Sequence, residues 1–168
     1  MKRLILMRHA KSDWSASGDD HSRPLNARGR DSAPAMGRWL KEHGWLPGEV
    51  LCSTATRTRQ TLALLGLPEV ATRFERALYL AEADEIIETL RSATGDTVLL
   101  LGHNCGIAEC ADALVNVPPD HPRFADYPTC ATSVIQFDVA DWAEIREGTG
   151  ECVDFAIPRE VIAAGHSG

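Results

Sequence analysis

The 168-residue chain has no apolar run long enough to cross a membrane, and its first strand-like segment, Leu4-Ile5-Leu6-Met7, ends after four residues. Met1-Lys2-Arg3 gives that segment the look of a secretory signal, but Arg8-His9 cut the apolar stretch too short for one. Positive charge is also in short supply. Seventeen Lys and Arg stand against 24 Asp and Glu, a formal net charge of −7, which sets the mean field against nucleic acid and anionic membranes. Neither is an expected partner, and any anion the protein binds must be held locally by arginines. The five cysteines (Cys52, Cys105, Cys110, Cys130, Cys152) are odd in number and scattered, with no Cys-x-x-Cys pair, which argues against a disulfide framework or a zinc ribbon. They read as small buried hydrophobes in a reducing cytoplasm, the expected location. Of the six histidines, His21, His43, His121 and His166 stand in polar or loop contexts without ligand spacing, so no metal or other cofactor is expected. Repeats, low-complexity tracts and interdomain linkers are missing as well. With 44% apolar and 24% charged residues, the composition is that of one ordinary soluble domain spanning residues 1–168.

What the chain does contain is three short apolar segments, each delivering a basic or imidazole side chain just past its end. Leu4–Met7 leads into Arg8-His9, Val50-Leu51-Cys52 into Ser53-Thr54-Ala55-Thr56-Arg57, and Val98–Leu101 into Gly102-His103-Asn104. Four consecutive branched apolar residues at 98–101 imply burial on both faces. Between the strands the apolar period becomes helical: Ala33, Met36, Gly37 and Leu40, then a helix over 55–65, then Leu80, Ala83, Ile87 and Leu90, then Ile107, Cys110, Ala111 and Leu114. Leu25–Arg30 opens a helical region, and Pro34 predicts that the regular helix within it starts near Ser32 or is kinked. Ser53 or Thr54 is the expected cap of the second, and Gly66 its stop. Glu82, Asp84 and Glu85 crowd the first turn of the third, where the helix dipole favours them. A weaker strand is expected at Ala71–Phe74, a hairpin or mixed edge at Val134–Phe137 and Val153–Ile157, and a frayed end at Ala163–Gly168. The polar stretch from Lys11 to Pro24 is a long loop at the C-terminal edge of the strands, where open α/β sheets bind ligands.

Two arginines and two histidines converging at that edge describe a site for a tetrahedral anion, above all a phosphoryl group. Arg8 and Arg57 offer forked, permanently charged donors that suit phosphate better than lysine does. A neutral imidazole at His9 can attack phosphorus and carry the phosphoryl group, dividing one hard step into two. Neighbouring arginines disfavour its imidazolium and keep it unprotonated near neutral pH. His103, if protonated, can donate hydrogen bonds to the transferring group. Each residue alone has a blander reading: a surface polar pair for Arg8-His9, a helix-surface charge for Arg57, a helix cap for His103. Their joint placement at three strand ends argues for one site.

These motifs resemble those of the histidine phosphatase superfamily, the phosphoglycerate mutase-like proteins. Leu6-Met7-Arg8-His9-Ala10 is similar to the family's Arg-His-Gly signature, and Pro24-Leu25-Asn26-Ala27-Arg28-Gly29 to its Pro-Leu-Thr-x-x-Gly segment. Ser53-Thr54-Ala55-Thr56-Arg57-Thr58-Arg59-Gln60-Thr61 is similar to its Ser-Pro-x-x-Arg-Ala-x-Gln-Thr motif, and Gly102-His103-Asn104 to the segment of its second histidine. The resemblance implies a single-domain three-layer α/β/α sandwich, a mostly parallel sheet with helices on both faces. It also implies His9 as phosphoryl acceptor, Arg8 and Arg57 as phosphate ligands, and His103 as the second histidine of the pocket. Ser15 stands where many members have a phosphate-contacting asparagine and is the further expected phosphate contact. Ala10 replaces the glycine of the signature, and Thr54 a proline.

One further absence bears on substrate. Family members acting on phosphomonoesters carry a glutamate that protonates the leaving alkoxide, often with an insertion. The comparable stretch here is Arg76-Ala77-Leu78-Tyr79-Leu80-Ala81-Glu82, with no insertion and with Glu82 two residues late. Alkoxides need that proton, whereas imidazole leaving a phosphohistidine is a much better leaving group. The chain therefore resembles the compact SixA-type branch. The leading expectation is a metal-independent phosphatase that works through a phosphohistidine intermediate and dephosphorylates phosphohistidine on a histidine phosphotransfer domain, in signal transduction. Two alternatives stand beside it. One is a phosphomonoesterase for a small phosphorylated metabolite, with Glu82 or Asp84 as general acid. The other is a non-catalytic module that binds phosphorylated partners through Arg8 and Arg57.

Overall fold

Six strands form one sheet in the order β3-β2-β4-β1-β5-β6. In the computed structural model, which describes residues 1–167, the elements are β1 (Lys2–Arg8), α1 (Ala27–Glu42), β2 (Glu49–Ser53), α2 (Thr56–Leu65), β3 (Ala71–Glu75), α3 (Ala83–Arg91), β4 (Thr97–Gly102), α4 (Gly106–Leu114), β5 (Thr132–Phe137), β6 (Glu151–Ala156) and α5 (Pro158–Ser167). β3, β2, β4 and β1 are parallel neighbours. β5 runs antiparallel to β1, and β6 antiparallel to β5, which makes the mixed edge. Alternate residues of the central strands enter opposite cores. Leu4, Leu6, Val98 and Leu100 pack with Ile86 and Leu90 of α3 and Ile107 of α4. Ile5, Met7, Leu99 and Leu101 pack with Ala33, Met36 and Leu40 of α1 and Leu65 of α2. Burial on both faces is why these strands are uninterrupted apolar runs, and it produces the expected three-layer α/β/α sandwich. No helix among the described residues is long and apolar enough to cross a membrane.

Register positions the site. Leu101 of β4 pairs with Met7 of β1 on one side and with Cys52 of β2 on the other. The three strands therefore stop on one level, and Arg8, Gly102 and Ser53 form the last row before the chain turns out of the sheet.

Three local expectations are corrected. α1 begins at Ala27 and not near Ser32, because the Asn26 side chain accepts the Gly29 N–H at 2.9 Å and caps it there. Pro34 lies inside the continuous helix, whose buried face holds Ala33, Met36, Gly37 and Leu40. α2 has Ala55 at its N-cap with no side-chain cap; Ser53 Oγ accepts only the Ala55 N–H at 3.3 Å, and Thr54 Oγ1 bonds His21 at 2.8 Å. Gly66 ends α2 in the left-handed region, φ 65°. Residues 163–167, expected to fray, belong to α5; Gly168 lies outside the described residues.

The first turn of α1 sits directly on the segment after β1. Asn26 N–H donates to the Lys11 carbonyl at 3.0 Å, and a Cβ on Gly29 would lie 2.1 Å from that same oxygen. Gly29→Ala should therefore cost about 1–3 kcal/mol, since backbone would have to move to admit a methyl group. Gly48→Ala, with nothing within 4 Å, should change stability by less than about 0.5 kcal/mol. Urea unfolding of both variants checks this, and equal effects would contradict the close approach.

Candidate active site

Arg8 ends β1, and the backbone of His9 is held from two sides. The His9 N–H donates to the Gly102 carbonyl at 3.1 Å, and the Cys130 N–H donates to the His9 carbonyl at 3.0 Å. Thr61 couples this turn to α2: its hydroxyl accepts the Ala10 N–H at 3.0 Å and donates to the Arg57 carbonyl at 2.7 Å. Arg57, in the first turn of α2, is 1% exposed. The ring centroids of His9 and His103 are 5.3 Å apart. Arg8, His9, Arg57 and His103 all line one cavity of about 240 Å³ at the C-terminal edge of the sheet. The four residues from three strand ends do meet.

Hydrogen bonding assigns the His9 proton. His9 Nδ1 lies 2.7 Å from the Ala10 carbonyl, an acceptor only, so Nδ1 carries the proton and Nε2 keeps its lone pair. His103 Nε2 lies 2.8 Å from Ser53 Oγ, a hydroxyl that also accepts the Ala55 N–H and has a second lone pair, so either partner of this pair can donate to the other. The other ring nitrogen of His103, Nδ1, is buried and has no partner. Both imidazoles are pushed down to about 3. Burial is the first cause in each case; for His9 the nearby His103, Arg8 and Arg57 add to it, and for His103 chiefly Arg57. Desolvation thus outweighs the arginines that the sequence reading invoked. It also leaves His103 neutral, where a protonated ring was expected.

The residue that sequence reasoning missed is Asp20. It lies in the Lys11–Pro24 loop and lines the same cavity. Its carbonyl accepts from Arg57 Nη1 at 2.7 Å, and its carboxylate accepts from Arg57 Nη2 at 3.0 Å. The carboxylate also accepts from the Tyr79 hydroxyl and from Arg23. The Tyr79 hydrogen bond, then Arg57, hold this carboxyl well below the usual carboxylate range. Arg23 reaches Ser12 Oγ through Nε at 3.0 Å and stacks 3.6 Å from the Trp14 ring, and all three line the cavity. Nothing periodic marks Asp20 among the loop's other polar residues; the length of the loop was the only signal. Leu80, another wall residue, is held at φ 52°, and Tyr127 and Cys130, flanking Thr129 of the wall, at 48° and 62°. Such left-handed non-glycine residues gather where surrounding structure enforces a shape.

Two expected site residues are not brought in. Ser15 is exposed, and its N–H and hydroxyl both donate to the Asp13 carboxylate, at 2.9 and 2.6 Å. That local turn satisfies it, and Ser12 faces the cavity instead. Glu82 is the exposed N-cap residue of α3, its N–H donating to Glu85 Oε1 at 3.1 Å, and it does not line the cavity. Ligand atoms of Glu82, Asp84 and Glu85 lie within 4.8 Å of one another, close enough for a metal ion. Exposed acids at a helix start suit the dipole without one.

Geometry and fold define an α/β protein with an anion pocket built from two arginines and two neutral imidazoles. The chain belongs to the histidine phosphatase superfamily, whose branch 1 family model matches residues 4–78. It is 35% identical over 161 residues to an uncharacterized protein of Mycobacterium tuberculosis, covering 91% of this chain and 100% of that one. It is 32% identical over 158 residues to an uncharacterized chloroplastic protein of Arabidopsis thaliana, covering 85% and 70%. Among solved structures, a Nakamurella multipartitia protein assigned as phosphohistidine phosphatase SixA matches with TM-score 0.80 and 31% identity, over 94% of this chain and 96% of that one. The protein histidine phosphatase SixA solved with tungstate shares the fold, with TM-score 0.76 and 23% identity over 95% and 99%. Within the superfamily the likeness is to the SixA branch.

Depressed imidazoles carry a stability signature. Both rings ordinarily titrate near 6.5 and here do so near 3. As pH falls through that window the unfolded chain takes up protons that the folded chain refuses, so stability is lost on acidification and is indifferent to these groups above it. The slope is up to about 1.4 kcal/mol per pH unit for each ring. Denaturation midpoints between pH 7.5 and 4.5 should decline, and the double variant His9→Gln/His103→Gln should flatten the decline. Parallel profiles for the two proteins would contradict the assignment.

Proposed function

We propose that the protein is a phosphatase that transfers a phosphoryl group to His9 and then to water, and that its substrate is phosphohistidine on another protein. What carries the choice of substrate is that, among the described residues, no protonated carboxylic acid lines the pocket to serve a leaving alkoxide. The carboxyl that lines it, Asp20, is held ionised by Tyr79 and Arg57, and Glu82 lies outside. A phosphorylated imidazole with a proton on its second nitrogen leaves as neutral imidazole and needs no acid.

In this reading Arg8 and Arg57 hold the nonbridging oxygens. Arg8 gives one of its five N–H groups to the Tyr127 carbonyl and Arg57 two of its five to Asp20, so donors remain for a ligand. His9 Nε2 attacks phosphorus with its lone pair while the Ala10 carbonyl takes the Nδ1 proton's hydrogen bond and stabilises the charge that develops on the ring. The bond from phosphorus to the substrate nitrogen breaks, and the substrate imidazole departs. His103 donates from Nδ1 to a phosphoryl oxygen throughout. Water then attacks the phosphoryl group on His9, the P–N bond breaks, and inorganic phosphate leaves with the imidazole restored. These steps ask for no metal, and the scattered cysteines without a Cys-x-x-Cys pair are in keeping with a cytoplasmic site of action.

Acid-labile, base-stable phosphate should be trapped on His9 after brief exposure to a phosphohistidine protein, and His9→Ala should abolish turnover. Label on any other residue would remove His9 as acceptor. Faster turnover of sugar phosphates than of phosphohistidine would favour a metabolite phosphomonoesterase; no turnover of either would favour a binding module. Arg57→Ala should lower kcat/KM by about 10²–10³-fold, roughly 2.7–4 kcal/mol, as for the loss of one transition-state donor; a loss below tenfold would deny it direct contact with the phosphoryl group.

A further inference from the structure

Beside the active-site cavity runs a second groove of about 320 Å³, and the two share Arg8, Lys11 and Thr129 as a common wall. Its other charged lining is Arg28, Arg123, Arg159 and Asp126. The Asp126 carboxylate is taken by Arg123, at 3.1 and 3.0 Å. The side chains of Lys11, Arg28 and Arg159 have no hydrogen-bond or ion-pair partner among the described residues. In a chain of net charge −7, three unmatched cations along one groove are a local inversion of the mean field.

Their placement opposes local stability. Arg28 is the second residue of α1, and Arg159 the second residue of α5. Helix N-termini favour anions and disfavour cations. α1 has no acidic residue in its first turn to compensate, and Glu160, the acid in the first turn of α5, is bonded to His121 at 2.7 Å. Two guanidinium groups without partners, each carried in the first turn of a helix, thus line the same groove, an arrangement that an incoming anion would complete.

We infer that this groove is a second anion subsite, which holds an acidic side chain neighbouring the phosphorylated residue of a protein substrate. The occupant rests on the phosphoprotein reading above; the cationic groove does not. Both arginines are exposed, so they meet groups carried on a partner's surface. The shared wall of Arg8 and Lys11 places those groups next to the residue that enters the pocket.

The test uses the full chain and the double variant Arg28→Ala/Arg159→Ala on three substrates: a phosphohistidine peptide with flanking Asp and Glu, the same peptide with Asn and Gln, and phosphoramidate. Wild type should favour the acidic peptide by about tenfold in kcat/KM, through KM. The preference should vanish in the double variant and shrink in 0.5 M salt, while phosphoramidate turnover stays the same in both proteins. The thermal midpoint of the double variant should equal or exceed that of wild type, because two cations leave helix N-termini. An unchanged preference in the variant, an equal loss on phosphoramidate, or a fall in midpoint would each overturn the subsite. If wild type turns over both peptides without preference, the subsite fails and the phosphohistidine reading stands. If wild type ignores both peptides but hydrolyses a small bisphosphate, with only that activity sensitive to the double variant, the phosphohistidine reading and the protein occupant fall together.

Discussion

The site depends on where three parallel strands stop. Because Leu101 is in register with both Met7 and Cys52, Arg8, Gly102 and Ser53 leave the sheet on one level, and the residues that follow them converge without any long reach. The backbone bonds that fix His9 come from Gly102, the last residue of the neighbouring strand β4, and from Cys130, in the turn before β5. A one-residue slip in either pairing would turn every alternate side chain to the other core and carry His9 away from His103. Burial of the strand residues on both faces makes that slip costly, so the cores of the sandwich hold the pocket together.

Burial also sets the chemistry. A histidine at a surface strand end would titrate near 6.5 and spend part of its time as a cation unable to attack phosphorus. Enclosure, before any neighbouring charge, holds His9 neutral. The Ala10 carbonyl then selects its tautomer, while Ser53 holds Nε2 of His103. Each imidazole therefore has one nitrogen held by the protein and one left free, and on His9 the free nitrogen carries the lone pair. The two rings differ in which nitrogen is held, with no difference in net charge.

How much of this was legible in the sequence follows from the kind of signal each residue leaves. Strands buried on both faces write continuous apolar runs, so β1, β2 and β4 were readable, and with them Arg8, His9, Arg57 and His103 at their ends. The opening of α1 within Leu25–Arg30 was readable, but a regular helix only from Ser32 was entertained because Pro34 is a conspicuous helix breaker, while the Asn26 cap is one side chain among many polar ones. Ser15 was misplaced for the same reason: a loop residue's direction depends on which neighbour satisfies it, and Asp13 does so two residues away. Asp20 left no trace, because its role is defined by Arg57 and Tyr79, far along the chain.

Asp20 raises a question that the other residues do not, since a carboxylate in a cavity lined by arginines would repel any anion that they attract. The answer lies in Arg57. A guanidinium 1% exposed is costly to bury without a counter-charge, and Asp20 supplies one from a loop side chain that remains 41% exposed. Tyr79 and Arg23 share the same carboxylate, so its charge is spread over three donors and falls only partly on Arg57. The ion pair thus orients the fork of Arg57 without using its Nε, so that Arg57 is fixed in place before any ligand enters. Loss of Asp20 would free more positive charge for the ligand, yet leave Arg57 to find its own geometry in a buried site. Which effect dominates is a matter of preorganisation against attraction, and in a water-poor pocket a misplaced donor loses more than a partly neutralised one.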